Sequence, residues 1–207
     1  MRNEVGLFVT TDDQLWGVEN GRDNLQDAEL GGDIHTDNPG EELNLIDPDR
    51  PRFFGYPFCW SELKLAKGRG AGTQWADESL PTELRKSDAY CQDPSEVQLP
   101  AAVMPAHWAP LGVLQYAGAL LPFRGDLLIT AHGSWNRTPA SGRLIARARV
   151  EAGKLKSIAP LIAERQGSGY QEGHWDLRPV DVREAADGSV FVSDDMGGRI
   201  LRIGYKP

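Results

Sequence analysis

The residues able to do chemistry are thinly spread along this 207-residue chain. His132 stands before Gly133 and just after the apolar run Leu127–Ala131. A histidine at a strand end, aimed at a shared opening, is a candidate acid–base or binding group. His107 precedes Trp108 and Pro110 in a loop, where lining a pocket and packing on Trp108 are equally open readings. His174 lies beside Trp175, and His35 reads as solvent-exposed. Trp135 and Trp175 either flank a channel or serve sheet packing. Asp194-Asp195 reads as a turn pair capping a strand rather than a cation site. Asp23, Asp27, Asp33 and Asp37 make an acidic loop without the Asp-x-Asp-x-Asp-Gly order of an EF-hand. Gly167-Ser-Gly169 is not followed by Gly-Lys-Ser/Thr, so it is no nucleotide loop. The absence of Gly-x-Ser-x-Gly argues against an α/β-hydrolase.

Composition narrows the setting for those residues. Charged residues make up 25% of the chain and apolar ones 40%, as in ordinary globular proteins. The net charge is −8 with no basic stripe, which argues against nucleic acid as a partner. Arg143, Arg147 and Arg149 alternate along one predicted strand and read as a solvated face. No stretch approaches the roughly 20 apolar residues of a membrane span. Met1 is followed by Arg2, Asn3 and Glu4 with no apolar region, so no signal peptide is expected here. Cys59 and Cys91 lack the paired spacing of a zinc site. They are either two free thiols or one disulfide pinning a long insertion, the latter requiring an oxidising compartment.

The positioning elements repeat. Asp13–Gly21 with Glu42–Ile46, Gly125–Gly133 with Gly142–Val150, and Asp187–Asp195 with Gly198–Ile203 share one plan. Each has a turn pair, a short apolar strand ending in small, polar or acidic residues, a loop, and a second strand. A further strand precedes each, at Val5–Thr10, Gly112–Tyr116 and Pro179–Arg183. A β-sandwich also spaces strands by turns. It does not require the same strand-end chemistry to recur, whereas propeller blades aim equivalent ends at one central channel. The expectation is therefore one all-β domain over 1–207, a partial six-bladed β-propeller. It comprises about three blades of four-stranded antiparallel sheets, near 1–58, 111–163 and 178–207. A long irregular insertion is expected near 60–109, with one helical turn within Ser79–Ser87. Three blades cannot close a ring of about 4 to 8. The chain then either dimerises or is a piece of something longer.

The strand ends carry a family resemblance. Arg2-Asn3, Glu19–Asn24, Glu42–Ile46, Gly55-Tyr-Pro-Phe-Cys59, His107-Trp-Ala-Pro110 and Arg124-Gly-Asp126 occur in order. They are followed by His132-Gly-Ser-Trp-Asn-Arg137, Arg178-Pro-Val180 and Ser193-Asp-Asp195. Together they resemble the C-terminal half of the glucose/sorbosone dehydrogenases, aldose sugar dehydrogenase-like quinoproteins that use pyrroloquinoline quinone (PQQ) with calcium. The resemblance implies Arg2, Asn3 and Arg178 beside PQQ, whose carboxylates suit a guanidinium fork. It implies backbone carbonyls of Gly21 and Arg22 on calcium, a hard cation. It puts His132 and Arg137 on the signature loop facing the same mouth.

The activity implied is oxidation of an aldose or related, sorbosone-type sugar, hydride passing to the quinone and then to an external electron acceptor. The family's general-base histidine belongs to an earlier blade and has no counterpart here, which leaves His132 a weak candidate. The resemblance also implies a periplasmic or secreted protein. The competing expectations are a non-catalytic half-propeller that binds calcium, a ligand or a partner, and a homodimer completing the ring.

Overall fold

A computed structural model describes residues 1–166, 169–171 and 173–204. Three antiparallel sheets stack side by side. The first runs Glu4–Val9, Leu15–Glu19, Glu41–Ile46 and Ala102–Met104 from its inner to its outer edge. The second runs Pro110–Gln115, Leu127–Ala131, Leu144–Glu151 and Lys154–Ile162. The third has three strands among the described residues, Pro179–Glu184, Val190–Asp194 and Arg199–Ile203. In each sheet the first strand is innermost, and Pro110–Gln115 packs beside both Glu4–Val9 and Pro179–Glu184.

The burial pattern explains the sequence pattern. Trp16, Val18 and Leu43 of the first sheet meet Val113, Ile129 and Leu144 of the second. Leu114, Leu128 and Ile145, on the second sheet's other face, meet Val182, Val190 and Val192 of the third. The middle sheet is thus covered on both sides, and Leu127–Ala131 is buried at every position. A near-continuous apolar run suits a strand buried on both faces, with Thr130 its one polar member, donating to Val180 O at 2.7 Å. Each such aliphatic side chain contributes about 1.5–3 kcal/mol when taken from water. Gly6 sits where the inner strands come closest, since a Cβ there would stand 2.5 Å from the Leu111 carbonyl. Tyr116 ties the second and third sheets by donating to Gly188 O at 2.8 Å.

Among the described residues, no further sheet covers the outer faces of the end sheets. Leu7 and Val9 are 57% and 59% exposed on the first, and Ile200 is 73% exposed on the third. These are the unclosed ends of a partial β-propeller.

The stretch expected to be irregular is more ordered than its sequence suggests. Ala102–Met104 within it supplies the first sheet's outer strand, with Leu43 opposite Ala102. Upstream lie a hairpin of Cys59–Ser61 with Gln74–Ala76, a helical turn at Thr82–Leu84 and a short helix at Asp88–Cys91. Cys59 and Cys91 form a disulfide, with Cα atoms 5.7 Å apart. Of the two cysteine readings, the pinned excursion is the one observed. No helix among the described residues is long and apolar enough to cross a membrane.

Candidate functional site

The ends of the first two sheets' strands converge on a hollow of about 190 Å³. Its walls include Arg2, Asn3, Gly21, His107, Gly133 and Trp135. Arg2 and Asn3 arrive because they precede the innermost strand. Gly21 follows the neighbouring strand, and the Asn20 N–H donates to Asn3 O at 3.1 Å. The Asn20 side chain donates to Pro110 O at 2.7 Å and fixes this corner against the second sheet.

Beneath lies Glu41, buried, accepting from the Gly21 N–H at 2.6 Å and the Ala109 N–H at 3.3 Å. Burial pushes its carboxyl up to about 7, and the backbone donors only partly offset that. Glu41 was not singled out from the sequence, where a charged residue opening a strand reads as exposed. The clue is position: it begins the strand whose register brings it beside the Gly21 turn.

Arg2 dominates the electrostatics. Its guanidinium donates to Gly21 O at 2.6 Å and Asn20 O at 3.3 Å, and pairs with Asp23 at 3.0 Å. These oxygens already hold a positive charge, so the donor set fits a cation. The guanidinium of Arg22 turns the other way, to Asp77 and to the Ser79 hydroxyl at 2.7 Å. A second hollow of about 330 Å³ opens there, lined by Arg2, Arg22, Tyr56 and Asp77 among others.

On the second sheet, His132 Nε2 lies 2.9 Å from the Asp195 carboxylate. Arg178 reaches across from the third sheet, donating to His132 O at 3.3 Å and Gly133 O at 3.2 Å. Its own N–H donates to Asp194 at 2.9 Å. Asp194 also accepts from Met196 N, Gly197 N and the Arg199 guanidinium. Burial works against its charge, yet these donors hold the carboxyl below its ordinary range. The aspartate pair therefore divides its work. Asp194 caps the turn as expected, while Asp195 reaches His132.

The loop 133–142 is clamped at its base. A Cβ on Gly142 (φ +77°) would stand 2.6 Å from Gly133 Cα, so only glycine allows this approach. Arg137 is spent on a strap. Its guanidinium donates to Thr36 O at 2.7 Å and Pro139 O at 2.5 Å and pairs with Asp37 at 3.0 Å. His35 joins the strap, with Nδ1 2.5 Å from Asp33 and Nε2 3.3 Å from Asn136 O. It is thus engaged rather than free in solvent. His107 Nε2 lies 2.5 Å from His35 O, and the two rings meet edge to face.

Arg2, Asn3 and Gly21 therefore share one hollow, and Arg178 joins them through Gly133. Arg137 and the Arg22 guanidinium stand apart. Trp135, 74% exposed at the rim, is a lining residue on which sequence reasoning did not settle. Among the described residues no group of three or more His, Cys, Asp or Glu side chains is arranged to hold a metal. The oxygens that do converge are backbone carbonyls with the single carboxylate of Asp23. Gly167 and Ser168 lie outside the described residues.

The chain is 29% identical over 228 residues to a pyrroloquinoline quinone-dependent pyranose dehydrogenase of Coprinopsis cinerea, covering 98% of this chain and 30% of that protein. The holo form of that enzyme's PQQ domain matches 99% of this chain and 54% of its own, at 28% identity and a TM-score of 0.76. A calcium structure of a Trichoderma reesei carbohydrate-active enzyme of family AA12 matches with a TM-score of 0.77 and 27% identity, over 97% of this chain and 51% of its own. This chain thus spans about a third of the curated pyranose dehydrogenase and about half of each solved chain. The resemblance to quinoprotein sugar dehydrogenases is upheld. The TrAA12-like family profile matches residues 1–206, and the chain belongs to that family.

Proposed function

We propose that this chain supplies the cofactor-binding side of a PQQ- and calcium-dependent sugar dehydrogenase that oxidises a hydroxyl of an aldose or related sugar. One observation carries the reading. Two carbonyls and a carboxylate at 20–23 hold a cation beside the hollow that Arg2, Asn3 and Gly133 line.

Arg2 and Arg178 pair with the cofactor's carboxylates through their planar forks, and Asn3 adds a polar contact. Calcium would be held by the Gly21 carbonyl, with that of Arg22 as the resemblance implies, beside the Asn20 and Asp23 oxygens that now face Arg2. When bound, the quinone accepts two electrons and the cation polarises it. Glu41 fixes the Gly21 turn from below. Arg137 positions the signature loop by its strap to Asp37 and Thr36. His132, oriented by Asp195, is the chain's own candidate for holding a proton. The disulfide supports an oxidising compartment, periplasmic or extracellular. An external acceptor completes turnover.

A second reading, ring completion by another copy, draws on the exposed apolar residues of both end sheets. Light scattering tests it, and a monomer at all concentrations removes it. For the main reading, PQQ with calcium is titrated into the chain and followed by absorbance. Arg2→Ala and Arg178→Ala are each expected to weaken binding about tenfold or more. Unchanged affinity in both sinks the site assignment. Dye-linked aldose oxidation separates an enzyme from a non-catalytic binder.

A further inference from the structure

We infer that Arg2 is a resident cation of the cradle, displaced by the divalent ion, and that Asp23 then becomes a ligand of that ion. The inference rests on the calcium reading above. Its starting point is convergence. Asn20 O, Gly21 O and Asp23 Oδ2, from four consecutive residues, all meet one guanidinium. Two carbonyls and a carboxylate are a donor set for a hard cation, and calcium takes 6–8 oxygens. Guanidinium has five N–H donors and no acceptor, so it can serve those oxygens but cannot share them with an ion of like charge.

The guanidinium has somewhere to go. The Arg2 backbone is anchored by its N–H to Glu19, so only the side chain needs to swing. That side chain is 27% exposed and lines the hollows on both sides of the cradle. Swung into the hollow shared with Asn3 and Gly133, it faces the anionic cofactor. Asp23, 40% exposed, loses its partner at the same moment and turns its charge to the incoming ion. One side chain thereby links two loading events. The cation releases the guanidinium that the cofactor carboxylate needs, and by linkage the cofactor favours the cation equally.

The test is calorimetric titration of Ca²⁺ into the full chain, with and without PQQ. Circular dichroism checks that each variant is folded. Arg2→Gln is expected to bind Ca²⁺ alone about fivefold more tightly than wild type and to gain less from PQQ. Arg2→Lys keeps a positive charge and is expected to stay near wild type. Adding Asp23→Asn to Arg2→Gln is expected to weaken Ca²⁺ about tenfold, reporting the ligand without the competing guanidinium. Arg2→Gln binding Ca²⁺ no more tightly than wild type overturns the displacement. An unchanged affinity on adding Asp23→Asn overturns the ligand role. Absence of Ca²⁺ binding in every protein, with or without PQQ, brings down the calcium reading itself and the inference with it.

Discussion

The first and third sheets are built on one strand–turn–strand unit, and each turns a face away from the middle sheet, yet they handle charge in opposite ways. On the first, Glu4, Glu19 and Glu42 surround the Asn44 amide, whose Nδ2 lies 3.2–3.4 Å from all three. No arginine or lysine side chain pairs with them among the described residues. Burial, reinforced by the charge of Glu19, pushes Glu4 up to about 8 and Glu42 up to about 7. On the third, Asp187 accepts from the Ser189 hydroxyl and N–H and pairs with Arg202, which holds it at about 2. The strand pattern permits either arrangement. Burial and the nearest donor decide which protonation state the fold prefers.

The largest expected effect sets the first sheet's stapled excursion against the unstapled third. Cys59→Ser with Cys91→Ser removes a link across 32 positions, worth about 3–4 kcal/mol in the loop-closure account. Hydrogen exchange should rise across 47–101 and stay unchanged over Pro179–Ile203. Equal loss in both regions would show that the end sheets do not unfold independently. Next comes Gly6→Val, which drives a side chain into the Leu111 carbonyl and is expected to cost about 1–3 kcal/mol in denaturant unfolding. Ile200→Ser, on the third sheet's open face, should stay within about 0.5 kcal/mol.

Smaller effects are read against pH. Glu4 and Glu42 have folded values above their ordinary 4.5, so the native state takes up protons there. Their favourable contribution is complete below about pH 4.5 and is lost as pH rises through about 7 to 8. Glu4→Gln with Glu42→Gln should flatten the melting temperature over that interval, and an unchanged slope would remove the buried cluster as its cause. Asp187 works in the other direction. Its contribution is complete above its ordinary 3.8 and is lost as pH falls through about 2. Arg202→Ala should therefore remove a small part of the neutral stability and lessen the acid sensitivity by the same amount, the smallest change of the set, seen by acid titration of the circular dichroism signal.

Legibility in the sequence followed the same divide between pattern and context. The second sheet was readable because its turn pair and fully buried Leu127–Ala131 run announce a covered strand. Ala102–Met104 was hidden, because three residues at a sheet edge carry no period and only pairing with Glu41–Leu43 defines them. Arg2, Asn3 and Gly21 were named through resemblance alone, and they line one hollow. Glu41 was missed because its burial depends on two N–H groups, one of them distant in sequence. The strap that ties Arg137 to Asp37 and His35 to Asn136 was hidden for a related reason. Those partners lie about a hundred positions away, beyond any local pattern.

The excursion between Ile46 and Ala102 has a consequence for engineering and for descent. Leu43 and Ala102 stand opposite each other, so the chain leaves the first sheet and returns to it on neighbouring strands. The span between carries its own hairpin, its own covalent closure and a small apolar cluster around Cys59, Cys91 and Val97. Ring geometry places little demand on the length of such a span, since lengthening a loop costs only about 0.6 kcal/mol per doubling. It is a natural port, where insertions can accumulate between lineages or a reporter domain be spliced in without shifting the strands that follow Arg2 and Arg178.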